Sequence, residues 1–567
     1  MKLTLTDGDL PLQSLYRWER EAPDCVFLTQ PYSGGKLREW TWAQVAHEVR
    51  RMSAHLRAQS WEPGTRVGIL SKNCAWWIMS DLAIWMAGYV TVPVFPSLMP
   101  HSVRKILEHS EAKGCFFGAT DDPEVPRLGI PGDVYRIAFP TAPESPAACW
   151  DNVVGAVQPM TESPTRPADD LATIIYTSGT TGAPKGVMHS FSTLAYDALS
   201  LRGTVNATSE DRFLSYLPLA HVVERSGLEV MSLLVGSRIF FVETVNTFLQ
   251  DLRRAHATIF LSVPRLLVKF QQSVFQKIPK EKLARRLQIP VLRYMVKKKI
   301  LAALGLGTVR LAASGAAPLP EDILLWYRGL GLPLAEGYGM TETLITHLPK
   351  RTQVRPGYVG PALDGVETRL SESGELLVKS PMNMMGYYKE AEATRSAFDG
   401  DGYFRTGDLV SIDPDGQTRI IGRAKEQFKT SKGKYVAPAP IESRLSEHPA
   451  VEACCLMGSG LPSPFALVVL NAEARAQCED ALARKAMEES LETQLTSLNA
   501  GLDPHERVAF VAVVAEPWTI DNELITPTLK IRRSKVEQRY LARFDEWRNS
   551  NDRVVWDQSS KSATPSS

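Results

Sequence analysis

YTSGTTGAPKGV, residues Tyr176 to Val187, follows directly on the apolar run LATII. An apolar run that ends in a glycine-rich turn reads as a strand delivering a loop to the edge of a sheet. Gly179, Gly182 and Gly186 let the backbone approach a ligand closely, Thr177, Ser178, Thr180 and Thr181 add hydroxyl donors, and Lys185 adds a mobile cation. Together they form a cradle for a polyphosphate. The loop is not the GxxxxGK[ST] nucleotide loop, because Gly186 follows Lys185 where that pattern needs Ser or Thr.

On the N-terminal side, from Trp40 to about Gly118, helical patches such as AQVAHEVRRMSAHLRAQ alternate with apolar runs such as RVGIL and VTVPVF, the rhythm of a layered α/β domain. The window from Ala75 to Phe95 is the most membrane-like. Asp81, Gly88 and Pro93 interrupt it, and its pattern predicts a buried helix followed by a buried strand. Prolines 140, 143, 146, 159, 164 and 167 predict a long surface excursion.

On the C-terminal side, FLSYLPL, SRIFFV, ATIFLSV and TVRLAASG predict further strands of an α/β unit reaching about Asp364. From Val366 to Ile421, the short runs ETRL, GELLVKS and TRIIG, with turn signals SESG and DPDG, predict a small antiparallel β unit. From Arg423 to Trp547 the runs ALVVL and VAFVAVV and a helical stretch from Ala472 to Leu498 predict a second core, and the Ser-rich tail QSSKSATPSS reads as disordered.

With 64 Lys+Arg against 63 Asp+Glu the net charge is +1, which supplies no global field for nucleic acid. Seven cysteines, an odd number with no CxxC pair, point to a reducing compartment, and Asp7 and Asp9 break any secretory signal. The chain is expected to be cytoplasmic.

The loop at Tyr176 resembles the signature of the adenylate-forming superfamily, which includes acyl-CoA synthetases, adenylation domains and luciferases. Five further stretches resemble that family's motifs in order: SGAAPLP from Ser314, EGYGMTET from Glu336, YFRTGDL from Tyr403, IGRAKEQFKTSKGKYVAP from Ile421 and ITPTLKIRR from Ile525. LPLAHVVER from Leu217, VPRLL from Val263 and KTSKGKYVAPAPIE from Lys429 resemble the forms found in long-chain fatty acyl-CoA synthetases. The stretch SGLPSPFALVV, from Ser459, departs from the family by lacking the Asp and Arg of its GDxRP pattern. The resemblance implies a large N-terminal domain (1–422) of layered α/β subdomains plus a small β unit at about 366–421. A smaller, mobile α+β C-terminal domain (423–555) and a tail (556–567) follow.

It further implies ATP, Mg²⁺ and CoA as the reaction's partners. Thr177 to Thr181 and Lys185 would hold the β- and γ-phosphates, with Thr181 and Glu342 as magnesium ligands and Thr341 on the α-phosphate. Gly315, Ala316 and Ala317 would line the adenine, Tyr338 beside Gly339 would stack on it, and Asp408 and Arg423 would take the ribose. Lys530 would be the adenylation lysine, and His221 would gate the acyl pocket. Lys425 would be the hinge about which the C-terminal domain turns to bring Lys429 to the reacting centre, with Gly433 leaving room for pantetheine and Lys432 and Lys434 meeting CoA phosphates. HVVE invites a reading as half a zinc site, but no third ligand supports one.

The expected activity is therefore conversion of a fatty acid to acyl-CoA, AMP and pyrophosphate through an acyl-adenylate. The alternatives are a CoA ligase for an aryl or medium-chain acid, an acyl-AMP or carrier-protein ligase, and a binding protein without catalysis. The charges of Lys185, Glu342, Asp408 and Lys530 argue against the last. Between Lys277 and Lys299 nine basic residues stand against Glu281 alone, with apolar residues interleaved. Such a segment can dock on anionic lipid at the inner membrane surface or be an ordinary solvated helix face.

Overall fold

All thirteen residues of the helix Ala75–Ala87 are buried. A helix that is apolar all round needs protein on every side, and two sheets supply it. In the computed structural model, which describes residues 3–143, 148–177, 184–526, 530–550 and 552–557, Phe27 and Leu28 of one sheet and Val67 and Ile69 of the other share one core with this helix. Gly88 ends the helix at φ 95°, a left-handed cap open to glycine, and the strand Val90–Val94 follows at once. The window from Ala75 to Phe95 is thus the helix and strand that its pattern predicts.

The first seven-stranded sheet runs Gly386–Tyr387, Lys185–Ser190, Leu171–Thr177, Val90–Val94, Arg66–Leu70, Gly114–Phe117, Tyr135–Ala138. Its last five strands are parallel, while Lys185–Ser190 returns antiparallel beside Leu171–Thr177. The second runs Leu334–Glu336, Leu311–Ser314, Ile259–Ser262, Arg212–Ser215, Arg238–Phe241, Val26–Tyr32, Lys36–Thr41, parallel up to its antiparallel edge. Four antiparallel strands, Glu367–Leu370, Glu375–Lys379, Phe404–Ile412 and Thr418–Arg423, make the small β unit.

The last sheet, Val451–Met457, Phe465–Leu470, Val511–Val514 and Val554–Trp556, is covered on both faces. Cys454, Leu456 and Val468 face Ile441 and Leu495, while Cys455, Met457 and Leu467 face Val536 and Trp547. Burial on both faces is why ALVVL reads as an unbroken apolar run.

The expected elements are corrected in four places. FLSYLPL contributes a strand only over Arg212–Ser215. The proline-rich excursion runs over the surface but contains the helix Trp150–Ala156, whose Trp150 is buried and donates from Nε1 to Glu48 at 2.8 Å. The stretch from Ala472 to Leu498 is two helices, Ala472–Gln477 and Ala481–Ala500, because the Asp480 side chain accepts from the backbone of Leu482 and Ala483 and starts a new helix. The basic segment is likewise divided between the helices Pro264–Lys277, Lys280–Gln288 and Pro290–Ala303. The tail at 558–567 lies outside the described residues. Among those described, no helix is long and apolar enough to cross a membrane.

Candidate active site

A cavity of about 1970 Å³ opens where several parallel strands end, bounded by Phe95, Thr177, Leu217, Val263 and Gly315 beyond their carboxyl termini and by Lys425, Lys429 and Lys530 from the C-terminal part. Ligands of open α/β sheets bind at such ends, where strands stop and loops diverge.

Its polar end is built on a tight hairpin, Tyr338–Met340 with Leu344–His347. A Cβ on Gly339 would lie 2.1 Å from the carbonyl oxygen of Leu344, so only glycine fits there. This close approach sets Thr341 and Glu342 at the tip, both lining the cavity. The Thr341 carbonyl accepts from His189 Nε2 at 2.7 Å, and Glu342 Oε1 accepts from the Tyr387 hydroxyl at 3.0 Å. Burial raises the Glu342 carboxyl, against the pull of Arg423 and Lys530. A desolvated carboxylate with lone pairs to spare fits a magnesium ion whose remaining ligands are phosphate oxygens and water.

Asp408 faces Arg423 across neighbouring strands. Its Oδ1 is 3.0 Å from Arg423 Nε and its Oδ2 accepts from the Tyr338 hydroxyl at 2.6 Å. Tyr338, expected to stack on adenine, therefore also holds the carboxylate expected to take the ribose. Gly315 and Ala316 line the cavity beside it, whereas Ala317 is exposed and outside the lining.

Lys530 enters from the C-terminal part, its backbone N–H donating to Thr526 Oγ1 at 3.0 Å and its carbonyl accepting from the Thr526 N–H at 2.8 Å. The side chain reaches solvent yet lies deep among protein atoms. Burial and Arg423 lower its ammonium, while Asp408 and Glu342 hold it up. His221 lines the same space. Burial first, then Lys530, lower it to about 4, so it is neutral at pH 7. Its Nδ1 accepts from the Val223 N–H at 3.3 Å, which leaves Nε2 as the protonated nitrogen.

Lys185 begins the strand Lys185–Ser190, with Nζ 3.8 Å from Glu390 and 4.7 Å from the centre of the Tyr387 ring. Thr177 lies opposite it in register and lines the cavity. Ser178, Gly179, Thr180, Thr181 and Gly182 lie outside the described residues. Lys425 is exposed in the turn that joins Thr418–Arg423 to Phe428–Lys429. Lys429 lies on the cavity wall with Nζ 5.6 Å from the centre of the Tyr435 ring, and Gly433, at φ 77°, stands behind it outside the lining.

The other end of the cavity is apolar and mostly aliphatic: Leu201, Val205, Val222, Leu261 and Ile345, with the ring of Phe213 among them. One wall is the helix continuing from Val222–Glu224 through a π-helical turn, Arg225–Val230, which brings Gly227 to the lumen. A polar end able to hold a nucleotide thus opens into a space for an apolar chain. Sequence reasoning missed Tyr387 and His189. Both reach the Thr341–Glu342 tip through hydrogen bonds from strands remote in sequence, which pair with each other at Tyr387 and Val187.

The family model for AMP-binding enzymes matches residues 15–388, and that for the AMP-binding enzyme C-terminal domain matches residues 425–551. The long-chain-fatty-acid–CoA ligase FadD15 of Mycobacterium bovis is 30% identical, over 95% of this chain and 97% of that protein. Long-chain-fatty-acid–CoA ligase 1 of Homo sapiens is 27% identical, over 91% of this chain and 82% of its own. Among solved structures, the adenylation domain of a carboxylate reductase from Mycobacterium chelonae aligns with a TM-score of 0.80 at 21% identity, covering 96% of this chain and 93% of that one. The anthranilate CoA ligase AuaEII in complex with anthranoyl-AMP aligns at 0.78 and 21% identity, covering 95% and 100%.

Proposed function

Because the chain belongs to the AMP-binding enzyme family, we propose that this AMP-forming acid–CoA ligase takes a long-chain fatty acid as its acid. A carboxylate oxygen of the acid attacks the α-phosphorus of ATP, the bond to the bridging oxygen breaks, and pyrophosphate leaves. The CoA sulfur then attacks the acyl carbon, AMP leaves, and the thiol proton passes to solvent. Lys530 is the group that stabilises negative charge developing between carboxylate and α-phosphate, in a desolvated setting where such a donor is worth most. Asp408 and Arg423 bind the ribose, Thr341 the α-phosphate, and Thr177 and Lys185 the distal phosphates. Glu342 holds magnesium, which when bound neutralises phosphate charge. Neutral His221 offers Nε2–H at the junction of the polar and aliphatic ends. Residues 1–422 and 423–555 act as two bodies about Lys425, so that Lys530 serves adenylation and Lys429, with Gly433, Lys432 and Lys434, serves the CoA step.

The observation that carries this reading is the shared cavity: Glu342, Arg423 and Lys530 at one end, an aliphatic lining at the other. The test is AMP formation over acids from acetate to oleate plus benzoate, each with and without CoA. CoA-dependent turnover that peaks on long chains is expected, and a peak on benzoate or acetate would overturn the choice of acid. Lys530→Ala should lower adenylate formation at least about 100-fold with ATP binding retained, while Lys425→Pro should block only the thioester step. An unchanged rate in the first variant, or equal loss of both steps in the second, would remove that residue's assigned role.

A further inference from the structure

The hairpin formed by Lys280–Gln288 and Pro290–Ala303 is anchored by little. Only Leu283 and Ile300 are fully buried, with Leu287, Val296 and Leu301 packed partly beside them. Between these anchors residues 288–295 are all exposed, and the tip lies roughly 10 Å beyond them at 1.5 Å per helical residue. Five large apolar side chains gather there in the open: Ile289 (50% exposed), Val291 (73%), Leu292, Tyr294 (70%) and Met295. Apolar side chains scattered singly on a surface need no explanation, but five within seven residues do.

The flanks are strongly cationic. From Lys277 to Lys299 the charge is 9 − 1 = +8, so the rest of the chain, at a total of +1, carries −7. Among the described residues none of these nine cations makes an ion pair, although twenty-eight pairs elsewhere hold many of the chain's arginines. An apolar tip set between basic flanks matches the depth profile of an anionic bilayer, in which apolar groups enter by 5–10 Å and Lys and Arg stems keep their charges among the phosphates.

We propose that this hairpin docks the protein on anionic lipid surfaces, its tip entering the acyl boundary and its basic flanks meeting lipid phosphates. A nucleic-acid duplex would use the cations but has no apolar layer for Ile289, Val291, Leu292 and Met295 to enter, and a second copy would bring +8 against +8. The site does not depend on which acid the enzyme activates, so binding is measured without substrate.

The test is co-sedimentation of the full chain with vesicles of phosphatidylcholine containing about 30% phosphatidylglycerol, against pure phosphatidylcholine, in 0.1 M salt. Binding to the anionic vesicles alone is expected, falling at least tenfold in 0.5 M salt. Each basic residue near such a surface contributes about fivefold to partitioning, so Lys282→Glu/Arg286→Glu/Arg293→Glu should weaken it at least about 100-fold. Val291→Ser/Tyr294→Ser/Met295→Ser should weaken it about tenfold or more with all charge kept. Turnover of a dissolved short-chain acid should be unchanged in both variants, which checks that they fold. Equal binding to neutral vesicles, or full binding by the apolar variant, would overturn the proposal. So would a dimer in sedimentation that the tip variant abolishes, or duplex DNA binding tighter than vesicle binding.

Discussion

Two aspartate–arginine pairs occupy opposite environments in this molecule. Asp81 and Arg225 are both wholly buried, the Arg225 Nη2 reaching both carboxylate oxygens at 2.8 and 2.7 Å. Glu229 lies 3.4 Å away on the same π-helical turn, and the rings of Trp77 and Trp85 stand 5.2 and 5.3 Å from the guanidinium. Asp408 and Arg423 meet through one contact at 3.0 Å, with the Arg423 side chain 41% exposed at the cavity and no other hydrogen bond from it among the described residues. The same two residue types are spent internally in one place and left available in the other. Burial raises Glu229 well above the ordinary carboxylate range, and the charge of Asp81 adds to this. A pair closed on itself fixes helices, and a pair with an open edge is free to take a ligand.

The largest effect should come from opening the closed pair. Arg225→Met removes the cation that faces Asp81, so its carboxyl must stay charged without a counter-ion or take up a proton in the core, which costs about 3–5 kcal/mol of stability, read as the shift in the urea midpoint. Asp81→Leu combined with Arg225→Met should cost much less than the sum of the single changes, because the pair's desolvation is then relieved on both sides. Additive losses would show that packing against Trp77 and Trp85, and not the charge pair, is what Arg225 contributes.

Asp408→Asn should do the reverse. The carboxylate's hydrogen bonds to a ribose carry about 1.5–3 kcal/mol, so KM for ATP should rise roughly 10- to 100-fold. Stability should change by less than about 1 kcal/mol, since the pair's arginine is half in water. A stability loss matching that of Arg225→Met would erase the distinction between the pairs.

The contrast also marks what the sequence could carry. The strand Leu171–Thr177, the buried helix at Ala75 and the β unit at Val366 are legible because each is local: periodicity and turn residues sit within one window. Trp150–Ala156 is not, because seven residues give no helical period. At the site, Thr341, Glu342, Asp408, Arg423 and Lys530 come from motifs that resemble a family's; four of them line the cavity, and the fifth, Asp408, is bonded to Arg423. Tyr387 and His189 were missed, as was the Asp81–Arg225 pair, whose members are 144 residues apart. In the sequence Asp81 stands only as an interruption of an apolar run. A partner supplied by tertiary pairing leaves no mark in either residue's own neighbourhood.

A third kind of acidic group, with no arginine at all, completes the comparison. Glu224 is fully buried, its Oε1 accepting from the Tyr216 N–H at 3.0 Å while its Oε2 has no partner, and burial raises it to about 8. Burial also raises Asp197 and Glu336 to about 7 and lowers His189, His221 and His347 to about 4. The folded acids keep protons that the unfolded chain gives up between about pH 4.5 and 8, so their contribution to stability is complete below that window and is lost as pH rises through it. The histidines act oppositely: the unfolded chain takes up protons below about pH 6.5 that the folded one refuses until about 4, so their contribution is lost as pH falls. The two sets offset each other from about pH 4.5 to 6.5, and the acids alone act above it. Stability should therefore decline from about pH 6.5 to 8. Glu224→Gln, which keeps the acceptor and removes the titration, should gain on the parent by about 1.4 kcal/mol per pH unit in that interval. Urea midpoints at pH 6.5, 7.25 and 8 measure it. A difference between the two proteins that stays constant across the three would mean that Glu224 is already ionised at pH 6.5, and that burial without a cation does not keep a carboxyl neutral in this core.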